Sequence, residues 1–127
     1  MRILVVGDLE EARELTEAAL ISAGYSDVVT ADSAWEALHI LDVWRPSFNV
    51  VLLDIMMPKV NGIDTCARIR NNPRYADLTV IMLTSLDNMD SLADSFAVGA
   101  TDYITKPFTR QDLVVRVKTA VKPKTNI

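Results

Sequence analysis

The chain has 127 residues, of which 50% are hydrophobic and 24% charged, with a formal net charge of −4 and a pI near 4.9. This length and composition are typical of one globular domain with its own core, and they exclude collagen, coiled coil and a disordered chain. The acidic balance and the scattered Lys and Arg residues disfavour a nucleic-acid partner, and no apolar run approaches membrane-spanning length.

Short β-branched apolar runs alternate with longer stretches of helical periodicity, which is the pattern of a parallel sheet with crossover helices. The predicted strands cover residues 2–6, 27–31, 50–53, 79–83 and 102–105. The predicted helices cover residues 10–23, 34 to just before Pro46, about 62–71, about 88–98 and 110 to about 121. The predicted fold class is α/β, a (βα)5 doubly wound sheet with helices on both faces. We expect one domain over residues 1–122, with a tail or the start of a linker over 123–127.

Three of the predicted helices have an apolar face that should pack on the sheet. The residues of these faces are Ala12, Leu15, Ala19 and Leu20 in the first helix, Ala34, Ala37, Leu38 and Leu41 in the second, and Leu113, Val114, Val117 and Val121 in the last. Two helix starts carry capping signals, formed by Ser33 and Glu36 before the second helix and by Thr109 and Asp112 before the last.

The residue types that often mark special chemistry are few in this chain. Cys66 is the only cysteine, so no internal disulfide can form, and we expect a small core residue in a reducing compartment. The N-terminus lacks a signal-peptide core, which favours a cytoplasmic location. His39 has no metal-ligand or triad partner nearby in sequence and is expected at or near the surface.

Four predicted strands run directly into residues that can carry charge or donate a hydrogen bond. These residues are Asp8 after the first strand, Asp54 after the third, Thr84 and Ser85 after the fourth, and Thr105 and Lys106 at the end of the fifth. In an open parallel sheet the carboxyl ends of the strands meet at one edge, where functional groups gather. The sequence therefore predicts two carboxylates, hydroxyls and one ammonium at that edge.

The two carboxylates predict a magnesium site with phosphoryl chemistry. Asp8 and Asp54 a few ångströms apart would repel by about 4 kcal/mol at an effective dielectric of about 20. Mg²⁺ would remove this repulsion, because it prefers oxygen ligands and is held by one or two carboxylates, here helped by a backbone carbonyl. Lys106 and the hydroxyl of Thr84 or Ser85 would stabilise a phosphoryl group, which makes Asp54 a candidate nucleophile that forms an aspartyl phosphate.

On these residues the chain resembles a response-regulator receiver domain, the phosphoacceptor module of bacterial two-component signalling. The similarity runs from "ILVVGD" through "LLDIMMPKVNG" and "VIMLTS" to "GATDYITKPF", so it covers nearly the whole chain. It implies a flavodoxin-like, CheY-like sheet with strand order 2-1-3-4-5. It also implies a signalling switch rather than an enzyme, one that assists its own phosphorylation and the hydrolysis of its aspartyl phosphate.

The resemblance assigns a role to each candidate site residue. Asp54 would accept the phosphoryl group from a sensor histidine kinase, a phosphotransfer protein or a small donor. Asp8, Asp54 and the Met56 backbone carbonyl would bind Mg²⁺. Thr84 would move toward the phosphoryl group and Lys106 would pair with it.

The resemblance also implies how a signal leaves the domain. The inward or outward rotamer of Tyr103 would report the switch, and the surface of helix four, strand five and helix five would change its affinity for a partner. That partner would be an output domain, an effector protein or a second copy of the chain. The Lys106-Pro107 peptide bond would be cis.

One position departs from the family pattern. Receivers usually carry two adjacent acids after the first strand, and this chain has Gly7 followed by Asp8. The missing carboxylate should weaken Mg²⁺ binding, and Glu10 and Glu11 are better read as the acidic start of the first helix. Two hypotheses follow, a working phosphoacceptor, or a pseudo-receiver that binds partners without being phosphorylated.

Three enzyme classes fit the sequence less well. A dinucleotide-binding enzyme needs a Gly-rich turn after the first strand, and only Gly7 is present there. The Gly-Lys-Ser/Thr run of a P-loop nucleotidase is absent from the sequence. An aspartate-nucleophile phosphatase commonly has a second acid two residues after the nucleophile, where this chain has Met56.

Overall fold

The computed structural model describes residues 1–45, 47–57, 59–85 and 90–120. Its strands are β1 (Arg2–Val6), β2 (Asp27–Ala31), β3 (Val50–Asp54), β4 (Thr79–Ser85) and β5 (Asp102–Lys106). Its helices are α1 (Glu10–Ser22), α2 (Ala34–Val43), α3 (Gly62–Arg70), α4 (Leu92–Ala97) and α5 (Arg110–Ala120), with a 3-10 turn at Pro73–Tyr75. The strands pair in parallel in the order β2-β1-β3-β4-β5. The predicted α/β fold class and strand order are confirmed.

Strands β3, β4 and β5 extend further than predicted, whereas β1 and β2 have the predicted bounds. β4 continues because the backbones of Thr84 and Ser85 pair with Thr105 and Lys106 of β5. A sheet ladder needs only backbone N–H and C=O groups, so a change to polar side chains does not end it. The polar residues therefore lie in the last positions of the strands themselves.

The prediction for the fourth helix was too long. α4 begins at Leu92 rather than near residue 88, and residues 86–89 lie outside the described residues. Val121 and the predicted boundary between residues 122 and 123 also lie outside them. In the part of the chain that the structure describes, no helix combines the length and apolar character needed to cross a membrane.

The sheet separates two apolar clusters, because alternate residues of a strand point to opposite faces. Leu4 and Val6 of β1 pack on the side of α2 and α3, and Ile3 and Val5 pack on the side of α1 and α5. Cys66 of α3 is fully buried in the first cluster, as predicted, and burial raises the pKa of its thiol. The thiol therefore stays neutral at ordinary pH and acts as a small apolar residue.

The predicted core face of α1 is wrong at Leu15, whose side chain is 68% exposed. The buried residues of this helix are Thr16 and Leu20, which lie four residues apart on one face. The Thr16 hydroxyl donates to the Ala12 carbonyl at 3.0 Å, so its polar group is satisfied within the helix. Leu15 was predicted to be buried because it is apolar, but the neighbouring residue Thr16 is the one that faces the sheet.

Both predicted helix caps form. Ser33 Oγ accepts the N–H of Glu36 at 3.2 Å, while the Glu36 carboxylate accepts the N–H of Asp32 at 2.7 Å. At α5, Thr109 Oγ1 accepts the Asp112 N–H at 3.0 Å, and the Asp112 carboxylate accepts the Thr109 N–H at 3.1 Å. These bonds satisfy donors that a helix start leaves unpaired and fix where α2 and α5 begin.

Gly62 opens α3 where that helix comes closest to the end of β3. Its N–H donates to the Ile55 carbonyl at 2.8 Å. A Cβ at this position would overlap the Asp54 carbonyl oxygen and lie 2.7 Å from Ile55 Cα. Both contacts are with backbone atoms, which cannot swing aside as a flexible side chain can. Glycine therefore allows α3 to close against the strand end that carries Asp54.

We expect Gly62→Ala to lower the free energy of unfolding by about 3 kcal/mol, because the added methyl group must displace backbone at a buried contact. Gly24→Ala is the matched control: Gly24 has a φ of 102° but nothing within 4 Å of its Cβ position. Its cost is backbone strain of about 1 kcal/mol. Urea unfolding followed by circular dichroism measures both. Equal losses in the two variants would contradict the packing argument.

Candidate functional site

Candidate site residues of four strands meet at the carboxyl edge of the sheet. The register pairs Val6 with Leu53, so Gly7 lies beside Asp54 at the next position of the neighbouring strands. On the other side, Asp54 pairs with Leu83, which precedes Thr84. The last pair of β4 and β5 ends at Lys106. Parallel pairing thus brings together residues that are far apart in the sequence.

Asp54 forms a partly buried ion pair at this edge. Its side chain is 12% exposed, and the Lys106 ammonium donates to Asp54 Oδ2 at 2.6 Å. The Met56 N–H donates to Asp54 Oδ1 at 3.2 Å. A carboxylate removed from water needs such partners, since its desolvation otherwise costs several kcal/mol. The peptide bond that follows Lys106, to Pro107, is cis.

Gly7 lies next to this ion pair and is itself buried. A Cβ at Gly7 would lie 3.8 Å from Asp54 Oδ2 and 3.8 Å from Arg13 Cγ, which are ordinary contact distances. The Arg13 guanidinium donates to the Gly7 carbonyl at 2.7 Å. The space where the family has a second acid is therefore bordered by an arginine of α1.

Sequence reasoning missed Arg13. The signal that could have found it is its charge, because Arg13 is the one cation in α1, whose other charged residues are all glutamates. Its position three residues into an acidic helix start gave no reason to place it against Gly7. That contact depends on how α1 packs against the end of β1, which only the tertiary structure defines.

Asp8 follows Gly7 and its side chain is exposed. It lines a cleft of about 280 Å³ together with Asp32, Ser33 and Lys59, on the side of α2. Asp54 instead lines a neighbouring cleft that lies on the side of α1 and α5. The two carboxylates thus follow adjacent strands at the same edge but open into different clefts.

The residues at this edge supply oxygen donors of the kind a hard divalent cation takes. Asp54 and Asp8 provide two carboxylates, and Met56 provides a backbone carbonyl in the turn after β3. The described residues contain no group of three or more acidic, histidine or cysteine side chains that could hold a metal. Two carboxylates and one carbonyl would leave several coordination positions of a Mg²⁺ ion to water.

Thr84 and Tyr103 lie on the strands beyond Asp54. Thr84 is 2% exposed, and its hydroxyl donates to the Ser85 carbonyl at 3.2 Å. The Tyr103 ring is half-buried and meets Phe96 of α4 edge to face, with 6.1 Å between ring centroids. Arg116 of α5 lies over the same ring at 5.7 Å and pairs with Asp102 at 3.1 Å. These aromatic and charged contacts link α4, β5 and α5 into one surface.

Three further residues lie on α2 or directly after it. His39 is exposed on α2, as predicted. Trp35 is 67% exposed beside Arg68, with 5.9 Å from the guanidinium carbon to the ring centroid, and Trp44 is 39% exposed beside Phe48. The two tryptophans therefore pack at the rim of α2, and Trp35 also lines the cleft that contains Asp8.

A doubly wound (βα)5 sheet with a buried aspartate, its lysine partner and a threonine at the carboxyl edge defines a receiver-type signalling domain. Residues 3–118 match the family profile described as the response regulator receiver domain. The chain therefore belongs to the response regulator receiver domain family, whose members are switches of two-component systems.

Relatives and solved structures agree with this family. Protein PilG of Pseudomonas aeruginosa is 36% identical over 121 residues, which are 95% of this chain and 87% of PilG. The DNA-binding dual master transcriptional regulator RpaA of Synechocystis is 35% identical over 95% of this chain but only 49% of its own length. The solved structure of Vibrio cholerae chemotaxis protein CheY4 has a TM-score of 0.86 at 29% identity, covering 94% of this chain and 97% of CheY4. The chain thus spans nearly all of some relatives and about half of others.

We expect Lys106→Met to destabilise the protein by about 2 kcal/mol, because it leaves the Asp54 carboxylate without its cation in a mostly buried position. Asp54→Asn should cost less than about 1 kcal/mol, because the Lys106 side chain is 32% exposed and its ammonium can turn to water.

Urea unfolding of the two single variants and of the double variant completes a double-mutant cycle. The double variant should be more stable than the two single losses predict by addition. Strict additivity would show that the 2.6 Å contact contributes no coupling.

Proposed function

We propose that this chain is a phosphoacceptor receiver in which Asp54 accepts a phosphoryl group in a Mg²⁺-dependent reaction. The donor would be the phosphohistidine of a sensor histidine kinase or phosphotransfer protein, or a small phosphodonor. The P–N bond of the phosphohistidine breaks as a P–O bond forms to a carboxylate oxygen of Asp54. The chain is then a switch rather than an enzyme, since it modifies itself.

The observation that carries this proposal is the 2.6 Å contact between the Lys106 ammonium and Asp54 Oδ2. It holds a cation where negative charge would accumulate on a transferred phosphoryl group. The 12% exposure of the Asp54 side chain leaves the carboxylate open at one side of an otherwise closed strand end. Thr84, on the strand between Asp54 and Lys106, is close enough in register to add a hydroxyl donor after a rotation.

The oxygen donors at the edge would hold the Mg²⁺. Asp54 and Asp8 would supply carboxylates and Met56 its carbonyl, and the exposure of Asp8 leaves its side chain able to turn toward Asp54. When bound, the ion would neutralise charge shared between the carboxylates and the phosphoryl oxygens. Gly7 contributes no side-chain oxygen, and its carbonyl already accepts from Arg13, which supports a weaker metal affinity than a site with a third carboxylate would have.

The output of the switch would be the surface of α4, β5 and α5. Thr84 and Lys106 lie at the end of β4 and β5, and Tyr103 lies three residues before Lys106 on the same strand. A phosphoryl group that draws the Thr84 hydroxyl away from Ser85 would change the space available to the Tyr103 ring. The ring contacts of Phe96, Tyr103 and Arg116 would then repack and bias partner binding.

The partner on that surface would be an output domain or an effector protein. Some relatives, such as RpaA, extend well beyond the region that this chain matches, and RpaA is by name a DNA-binding regulator. Others, such as PilG, are matched over 87% of their length. Because this domain is acidic overall, we place any nucleic-acid contact in a separate output domain.

A second candidate function is a pseudo-receiver that binds partners in its unmodified state. The observation that favours it is Gly7, together with the Arg13 guanidinium that reaches its carbonyl at 2.7 Å. A guanidinium bonded to Gly7, the residue that neighbours Asp54 in the sheet, disfavours a metal ion at this edge. The domain would then signal by occupancy of its surface, without phosphorylation.

Intact mass spectrometry separates the two functions. The protein incubated with Mg²⁺ and acetyl phosphate should gain one phosphoryl group, and Asp54→Asn should gain none. A metal-free sample should stay unmodified over the same time. Absence of the adduct at high Mg²⁺ and donor concentrations would overturn the phosphoacceptor function and favour the pseudo-receiver.

We expect Gly7→Asp to lower the Mg²⁺ concentration that gives half-maximal phosphorylation about tenfold, a change of about 1.4 kcal/mol in metal binding. The added carboxylate would sit beside Asp54, and its Cβ would make only ordinary contacts at 3.8 Å. Gly7→Asn has nearly the same shape without the charge and is the matched control. If both variants require as much Mg²⁺ as the parent protein, Gly7 does not limit metal affinity.

A further inference from the structure

A cleft of about 550 Å³ lies between α1 and α5 and reaches the carboxyl edge of the sheet. Most of its wall is apolar, and Leu15, Ala19 and Phe108 contribute side chains to it. The volume lies within the range of about 300 to 1,000 Å³ that is usual for small-molecule sites. Leu15 is 68% exposed, so its apolar surface is not buried in the core of the domain.

Three cations line the same cleft, against one carboxylate. They are Arg13 of α1, Lys106 of β5 and Arg110 of α5, and the carboxylate is Asp54. Lys106 is paired with Asp54 at 2.6 Å, and the Arg110 guanidinium reaches the Ser22 carbonyl at 3.5 Å, at the C-terminal end of α1. Arg13 is therefore the excess cation at the Asp54 end of the cleft. A guanidinium has five N–H donors, and the bond from Arg13 to the Gly7 carbonyl uses one of them. The cleft is therefore apolar along its walls and cationic overall.

Gly7 connects the apolar part of the cleft to Asp54. A side chain at this position would begin 3.8 Å from both Arg13 Cγ and Asp54 Oδ2, so it would fill the space between them. With glycine, the cleft runs from Leu15 past Arg13 to Lys106 without interruption. Glycine at position 7, where the family usually has an acid, thus removes a carboxylate and also leaves the cleft open as far as Asp54.

We propose that this cleft binds a small amphipathic organic anion. Its oxyanion contacts Arg13, and its aromatic or alkyl body packs against Leu15, Ala19 and Phe108. Charge complementarity selects an anion over a cation, and the apolar wall selects an organic body over a bare inorganic ion. This binding does not depend on phosphorylation of Asp54.

A ligand in this cleft also covers one approach to Asp54, because Asp54 and Lys106 line its inner end. Occupancy should therefore slow phosphorylation by a small donor, a consequence that rests on the proposed phosphoacceptor function. Binding itself is the direct test, since it can be measured in Asp54→Asn, where phosphorylation is impossible.

The experiment is a ¹H–¹⁵N NMR titration of the whole chain with 1-naphthoate, without metal or phosphodonor. Naphthol and acetate, which carry the apolar body or the carboxylate alone, are titrated beside it. We expect saturable shifts at Gly7, Arg13 and Leu15, with naphthoate binding at least about tenfold more tightly than either fragment. Asp54→Asn should bind naphthoate at least as tightly as the parent protein.

Matched variants locate the site. Arg13→Gln and Leu15→Gln should each weaken naphthoate binding at least about fivefold. Arg74→Gln and Val115→Gln remove a cation and an exposed apolar side chain that lie outside the cleft, and should leave the affinity unchanged. The proposal is overturned if naphthoate binds no better than its fragments, if the shifts lie elsewhere, or if the cleft variants bind like the controls.

Discussion

The ion pair between Asp54 and Lys106 is the interaction on which the rest of the site depends. A carboxylate at the end of a fully buried strand is costly unless a cation meets it, and the two residues lie on strands that are not neighbours. Only the order β3-β4-β5, with all strands parallel and ending at the same edge, lets the lysine reach across β4 to the acid. The same arrangement puts Thr84 between them, so one constraint of topology assembles the charged and hydroxyl groups together.

Two glycines shape the surroundings of this acid in opposite ways. Gly62 removes a side chain so that the backbone of α3 can touch the end of β3, and the contact is tight. Gly7 removes a side chain where the space stays open, and that space leads into the cleft between α1 and α5. One glycine therefore fixes the position of Asp54 from the α3 side. The other leaves Asp54 accessible from the α1 side and places Arg13 within reach of the same region.

Sequence reasoning was strongest where the signal is local and repeated. The apolar runs of β1 and β2 gave the bounds of those strands, and the capping residues Ser33 and Thr109 gave the starts of two helices, because strand burial and helix capping depend on neighbours in sequence. It failed at Leu15, because helical periodicity does not say which of two adjacent stripes meets the sheet. It also ended β4 too early, because backbone pairing is set by the partner strand.

The sequence by itself determined the fold class, the strand order implied by family resemblance, and the residues that meet at the carboxyl edge, since these follow from alternating patterns and from a motif order that runs along the whole chain. The tertiary structure alone decided that the Lys106 ammonium lies 2.6 Å from Asp54, that Asp8 and Asp54 open into different clefts, and that Arg13 borders the position of the missing acid. Those features depend on how α1 and α5 lie against the sheet and on which way each side chain turns. Such distances are set by packing between elements far apart in the chain, and no local pattern of residues encodes them.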